Sequence, residues 1–184
     1  MRTFIAIPIP ESCLEMLAQM QRHLKASKAV ISWTRISSIH LTLKFLGEID
    51  PAIIPRMTES LEVISKQARS FDLRLTGLGC FPNEKNPRII WCGIQGDTDV
   101  LSRLQAGVET VCDGFGFEPE NRPFRPHLTL GRVKGQINLK ALADSIAKGS
   151  DLECGFRAES FNIYKSVLKP DGAVYTVLET IALP

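Results

Sequence analysis

Two of the chain's three histidines open the same tetrapeptide, His40-Leu41-Thr42-Leu43 and His127-Leu128-Thr129-Leu130. Imidazole titrates near neutral pH, so one ring of such a pair can hold a proton while the other takes one. Each ring is accompanied by a hydroxyl two residues on. Displacement at phosphorus uses this inventory well. One histidine serves as base on the attacking water, and the other as acid on the leaving oxygen at the opposite side of the phosphorus. The hydroxyls of Thr42 and Thr129 can donate to the non-bridging oxygens, where charge accumulates. Arg132, or another nearby cation, adds electrostatic stabilisation. His23 is the internal control. It lies beside Leu24 on a helix flank, has no threonine two residues on, and reads as a surface side chain.

Other chemistries fit the residues less well. Two histidines are too few for a catalytic zinc, and no carboxylate stands at a recognised ligand spacing, so neither metal nor cofactor is expected. There is no G-x-S-x-G elbow and no clear Cys–His signature. The five cysteines (Cys13, Cys80, Cys92, Cys112 and Cys154) are odd in number, widely spaced and without a C-x-x-C. They read as small apolar core residues in a reducing compartment.

Composition sets the frame around these motifs. The 184 residues are 44% hydrophobic and 23% charged, enough for one domain or two closely packed lobes with a substantial core. A formal charge of +2 is too mild for a non-specific nucleic-acid binder. The positive charge is uneven, however. Arg122, Arg125, Arg132 and Lys134 bracket the second motif and Lys44 follows the first, compatible with a local anion site. The apolar run Phe4 to Ile9 is short and interrupted by Pro8, so no signal peptide is expected. No segment approaches membrane-spanning length, and the reading is a cytoplasmic protein with no membrane partner.

Both motifs must be held by regular elements. Arg2 to Ile9 reads as a strand, and Pro10-Glu11 open a helix whose stripe carries Leu14, Leu17 and Leu24. Val30 to Ile36 and His40 to Leu46 read as strands, the second ended by Gly47. Asp50-Pro51 is an N-cap with proline at the first helical position, starting a helix toward Arg69. Phe71 to Leu78 alternates as a half-buried strand, Phe81 to Pro87 is a loop, and Arg88 to Ile94 an apolar strand. Thr98 to Cys112 has clear helical periodicity through Leu101, Leu104, Val108 and Val111. Asn138 to Lys148 is a short helix closed by Gly149. Ser160 to Leu168 and Ala173 to Leu183 are strands around a Pro170-Asp171-Gly172 turn. The fold class is α+β, with two related halves as lobes of one domain. On a strand, His40 and Thr42 face one way and Leu41, Leu43 and Phe45 the other, toward the core; the same parity holds for His127 and Thr129 against Leu128 and Leu130. If the two strands are neighbours, four polar groups converge on one cleft. Trp33, Phe45 and Phe124 are aromatics able to stack on a base. Phe45 is set with the core by its parity. By the same count Arg132 has the wrong parity to accompany His127 unless the strand twists, bulges or ends there.

With the rest of the chain, these motifs resemble the 2H phosphoesterase superfamily, and within it the bacterial and archaeal RNA 2′,3′-cyclic phosphodiesterases, also called 2′-5′ RNA ligases. The resemblance runs nearly end to end: Arg2-Thr3-Phe4-Ile5-Ala6-Ile7, Trp33, Ile39 to Gly47, Pro87 to Trp91, Phe124 to Arg132, and Leu168 to Tyr175. It implies a single bilobal domain over residues 1–184. In it two pseudo-twofold-related antiparallel sheets, flanked by helices, border a central active-site groove. It further implies metal-independent hydrolysis of RNA 2′,3′-cyclic phosphate ends, or of small cyclic nucleotides, to a 2′-phosphate. His40 would then donate a proton to the departing 3′-oxygen and His127 accept one from water. Thr42, Thr129 and Arg132 would bind substrate, and a monomer is expected. Reversible 2′-5′ ligation of tRNA halves and non-catalytic binding of RNA ends are the alternatives.

Overall fold

In a computed structural model that describes residues 1–149, 151–169 and 172–184, the chain forms nine strands and four α-helices. They are β1 (Arg2–Pro8), α1 (Glu11–Lys25), β2 (Ile31–Trp33), β3 (His40–Glu48), α2 (Ile54–Ala68), β4 (Phe71–Phe81), β5 (Ile89–Gly96), α3 (Thr98–Gly114), β6 (His127–Val133), α4 (Leu139–Lys148), β7 (Glu153–Ala158), β8 (Ser160–Lys169) and β9 (Gly172–Ala182). The strands make two antiparallel sheets, ordered β3-β1-β8-β9 and β2-β6-β5-β4-β7. Apart from β2, the two orders match strand for strand, with a histidine motif at the head of each. The fold is α+β, as expected.

The helices exchange sides. Helix α1 follows β1 of the first sheet but packs behind the second, where Gln21 reaches Leu130 of β6 and Cys13 reaches Cys154 of β7. Helix α3 follows β5 of the second sheet but packs behind β3 of the first, where Gln105 reaches Leu43. Leu41, Leu43, Leu128 and Leu130 are buried beneath these helices, in one apolar cluster that draws on both sheets. Burying the leucines fixes the register of each strand, because a one-residue slip would turn them to the outside. His40, Thr42, His127 and Thr129 are therefore left on the sheet faces that the helices do not cover.

The structure corrects the sequence reading at several places. Strand β3 runs on through Gly47 to Glu48, with Gly47 at a positive φ of 71° inside it. Strand β4 continues to Phe81, and β7 lies in a stretch where the sequence pattern gave no strand. Strand β2 is only three residues long and is followed by a 3-10 turn at Ile36–Ser38. Asp50 caps as expected, accepting from the Ala52 amide, but a 3-10 turn over Pro51–Ile53 precedes α2. Cys92 and Cys112 are buried thiols, whereas Cys13 and Cys154 form a disulfide and are not the reduced core residues expected. Of the Pro170-Asp171-Gly172 turn, Pro170 and Asp171 lie outside the described residues. No helix among the described residues is long and apolar enough to cross a membrane.

Candidate active site

The two motif strands are not hydrogen-bonded neighbours. Strand β3 is the edge of its sheet and β6 lies inside the other, between β2 and β5, yet the two strands touch where the sheets meet. The four polar groups thus come from two sheets rather than from one.

Each motif strand carries the same irregularity just after its second leucine. In β3, Thr42 pairs with Ala6 and Lys44 with Ile5, so one extra residue is inserted at Leu43-Lys44. In β6, Thr129 pairs with Trp91 and Gly131 with Ile90, an insertion at Leu130-Gly131. Such a bulge reverses the parity of the residues that follow it, in β3 as far as a second insertion at Leu46-Gly47. Phe45 is consequently 66% exposed and meets Phe4 on the histidine side of the sheet, with ring centroids 5.9 Å apart. Its expected place with the core leucines is wrong. Arg132 pairs with Ile89, which shares the face of Trp91 and Thr129, so the second bulge brings Arg132 to the side of His127. The parity obstacle is removed by the bulge itself.

The kinks are braced from behind. The Gln21 side-chain amide donates to the carbonyls of Leu130 at 2.9 Å and Thr34 at 2.7 Å. The Gln105 amide donates to the Leu43 carbonyl at 3.4 Å and to Glu109 at 3.0 Å. A bulge disturbs the ladder, and these buried amides add donors to the kinked carbonyls, the Leu130 carbonyl also accepting from the Thr34 amide at 3.0 Å. Lys44 takes part in the first brace: its ammonium contacts Glu109 at 2.7 Å and the Glu118 carbonyl at 2.7 Å. Only 6% exposed, Lys44 points away from the histidines and adds nothing to an anion site. At the matching place in β6 stands Gly131, where a Cβ would lie 2.7 Å from Ile31 Cγ2 and 3.1 Å from Trp33 Cε3.

The rings are held alike. His127 Nδ1 lies 2.7 Å from the Arg125 carbonyl, two residues upstream. A carbonyl only accepts, so Nδ1 carries the hydrogen, and in the neutral ring Nε2 is the nitrogen able to accept a proton. His40 has a backbone hydrogen bond to Ser38, again two residues upstream. Their surroundings differ. His40 stacks on Phe4 at 4.5 Å and on Tyr164 at 5.7 Å, and meets Tyr175 edge-on at 5.0 Å. Desolvation in this apolar box lowers its pKa from 6.5 to about 4, and the Ser38 bond offsets it only in part. His127 meets Phe81 edge-on at 5.1 Å, and Phe81 leans on Trp91. Burial raises the pKa of both Tyr164 and Tyr175, so both phenols keep their protons. The Tyr164 hydroxyl accepts from Asn162 at 2.9 Å, leaving its own proton to give.

Thr42 and Thr129 are half-buried, and Arg122, Arg125, Arg132 and Lys134 are exposed around the second motif. His23 is exposed, as expected. Phe4, Tyr164 and Tyr175 are the residues near His40 that sequence patterning did not single out. Their signal was the period-2 alternation of β1, β8 and β9, which becomes informative only once the sheet order is known. No three His, Cys, Asp or Glu side chains among the described residues come together to hold a metal ion.

Comparison with known proteins bears on this geometry. The family model described as LigT-like phosphoesterase matches residues 7–91 and 94–175. The chain is 35% identical to an RNA 2′,3′-cyclic phosphodiesterase of Methanocaldococcus jannaschii over 97% of its own length and 99% of the relative's. It is 31% identical to one from Methanothermobacter thermautotrophicus over 99% and 98%. A crystal structure from Thermus thermophilus superposes with a TM-score of 0.80 at 28% identity, covering 100% of this chain and 98% of that one. Escherichia coli LigT complexed with 3′-AMP superposes with a TM-score of 0.75 at 24% identity, over 99% and 97%, and so shares the fold.

Proposed function

The chain belongs to the LigT-like phosphoesterase family of hydrolases acting on phosphodiester bonds, and from that premise we propose that it opens the 2′,3′-cyclic phosphate of an RNA end to a 2′-phosphate. One observation carries the reading. Two histidines, each tied by a backbone hydrogen bond two residues upstream, stand on the uncovered faces of two bulged strands where the sheets meet. Water attacks phosphorus and gives its proton to His127 Nε2. The bond from phosphorus to the 3′-oxygen breaks, and His40 gives that oxygen its proton. Thr42 and Thr129 donate to the non-bridging oxygens, and the Arg132 guanidinium offsets the charge that builds there.

The pKa of about 4 leaves free His40 uncharged at neutral pH. An anionic cyclic phosphate beside the ring favours its charged form, so substrate itself loads the acid. A second reading exchanges the two roles, because an apolar box that keeps His40 neutral suits a base equally well. Ligation is the reverse reaction with an RNA 5′-hydroxyl, and excess water favours hydrolysis.

The test is turnover of 2′,3′-cyclic nucleotides in EDTA, with the product isomer identified. A 2′-phosphate product is expected, with rates down about 10²- to 10⁴-fold in His40→Ala and in His127→Ala. Full activity in either variant overturns the paired mechanism.

A further inference from the structure

The uncovered faces of the two sheets can be compared place by place, because the strand register repeats. On the first sheet Thr42 pairs with Ala6 and Ala6 with Asn162, while Phe4 pairs with Tyr164. On the second, Thr129 pairs with Trp91 and Trp91 with Gly79, while Ile89 pairs with Phe81. Directly paired residues share a face, so all of these lie on the side of the histidines. Asn162 and Tyr164 of β8 therefore match Gly79 and Phe81 of β4. Tyr164 and Phe81 stand alike beside their histidines, with ring centroids 5.7 Å from His40 and 5.1 Å from His127. At Gly79 the Trp91 indole lies across the strand, and a Cβ there would overlap it. The second sheet thus fills this place with an indole and a phenyl ring, and the first keeps an amide and a phenol. Folding alone does not demand the polar pair.

Asn162 is only 6% exposed. Its side-chain nitrogen donates to the Tyr164 hydroxyl at 2.9 Å, and its Oδ1 is buried without a partner among the described residues. Turned over, the amide would leave both N–H donors without a partner in place of one acceptor. The observed orientation therefore uses a lone pair of the Tyr164 oxygen and leaves the hydroxyl hydrogen free to be given. A buried amide held half-paired is rare in native proteins, and a ligand that uses the group it orients accounts for it.

We propose that Tyr164 is a further substrate-binding residue: its hydroxyl, oriented by Asn162, donates to a non-bridging phosphate oxygen on the His40 side. The assignment rests on the phosphodiesterase reading, which sets the phosphate between the two histidines. Charge grows on that oxygen in the transition state, so the bond strengthens there and acts mainly on kcat. Asn162 is a positioning residue that works through the phenol. On the His127 side Phe81 has no proton to give, and the exposed Arg132 guanidinium supplies the charge instead.

The test compares 2′,3′-cyclic nucleotides with their two cyclic phosphorothioates, in which sulfur, a weaker acceptor, replaces one non-bridging oxygen or the other. Tyr164→Phe keeps the ring beside His40 and should lower kcat about 10- to 100-fold with KM little changed. On one phosphorothioate it should nearly equal wild type, which has already lost that bond, and on the other it should be as impaired as on the oxygen substrate. Asn162→Leu should slow the wild type and cost nothing further in a Tyr164→Phe background. Unchanged kcat in Tyr164→Phe, the same loss on all three substrates, or an Asn162→Leu loss that is equal in both backgrounds overturns the proposal; the last two are what a merely structural role gives. If wild type turns over none of the three, the phosphodiesterase reading falls and calorimetric titration decides the contact. The probe is uridine 2′-monophosphate, whose dianionic phosphate carries the charge the transition state approaches. Binding about 10-fold weaker in Tyr164→Phe supports the contact, and equal binding overturns it.

Discussion

The strand of His40 and the strand of His127 begin with the same four residues, bulge at the same place, and are braced by a glutamine from the helix behind. Their later residues and their surroundings differ. His40 is boxed by Phe4, Tyr164 and Tyr175, with Lys44 drawn into the interior and Phe45 turned outward. His127 is followed by Gly131, pressed against Ile31 and Trp33, and by exposed Arg132. Identical tetrapeptides thus specify a common posture, and the aromatic side chains of the neighbouring strands specify the environment. Posture makes a histidine available; environment decides its proton.

Substitutions can break this comparison at successive depths. The largest effect falls on turnover, where the His40→Ala/His127→Ala double variant should be little slower than either single one, because paired groups acting in one step are not additive. A product of the two single losses would mean that the rings act independently. Next is Lys44→Met, which removes the ammonium that neutralises the mostly buried Glu109 carboxylate and should cost about 3 kcal/mol in denaturant unfolding. Gly131→Ala at the equivalent site should cost about 1–3 kcal/mol for a different reason, overpacking.

Acid should separate the histidines as well. The unfolded His40 ring takes a proton near pH 6.5 and the folded one only near 4, so between these values the unfolded state binds more protons. Stability from this group is complete above pH 6.5 and is lost as pH falls, by about 3 kcal/mol on reaching pH 4. His40→Gln should remove that slope, and an unchanged slope would contradict the buried neutral ring. The smallest effects belong to the braces. Gln21→Leu and Gln105→Leu should each cost about 1–2 kcal/mol. Gln21 should be the costlier, because both of its bonds are to backbone carbonyls at 2.9 Å or less.

Much of this was legible before the structure. Histidine, threonine and leucine alternate with period 2, and burial of the leucines alone places the polar pair outside. The bulges were not legible, since one inserted residue leaves no mark in composition; Phe45 was misplaced and Arg132 lacked a route to the site for that single reason. The matched spacing of Phe45 and Arg132 from their histidines gains meaning only when both strands are seen to kink. The Cys13–Cys154 disulfide joins residues 141 apart in sequence, and depends on α1 crossing to the other sheet. Strand β7 is a short edge with Gly155 inside it, and its alternation of Cys154, Phe156 and Ala158 against Glu153, Gly155 and Arg157 spans only six residues.

The central claim is that the two histidines have opposite duties. Its most direct test is a 2′,3′-cyclic phosphate whose 3′-oxygen is replaced by sulfur, because a thiolate leaves without needing a proton. His40→Ala should recover most of its lost rate on this substrate, while His127→Ala stays as slow as on the oxygen substrate. Recovery in His127→Ala and none in His40→Ala would exchange the roles.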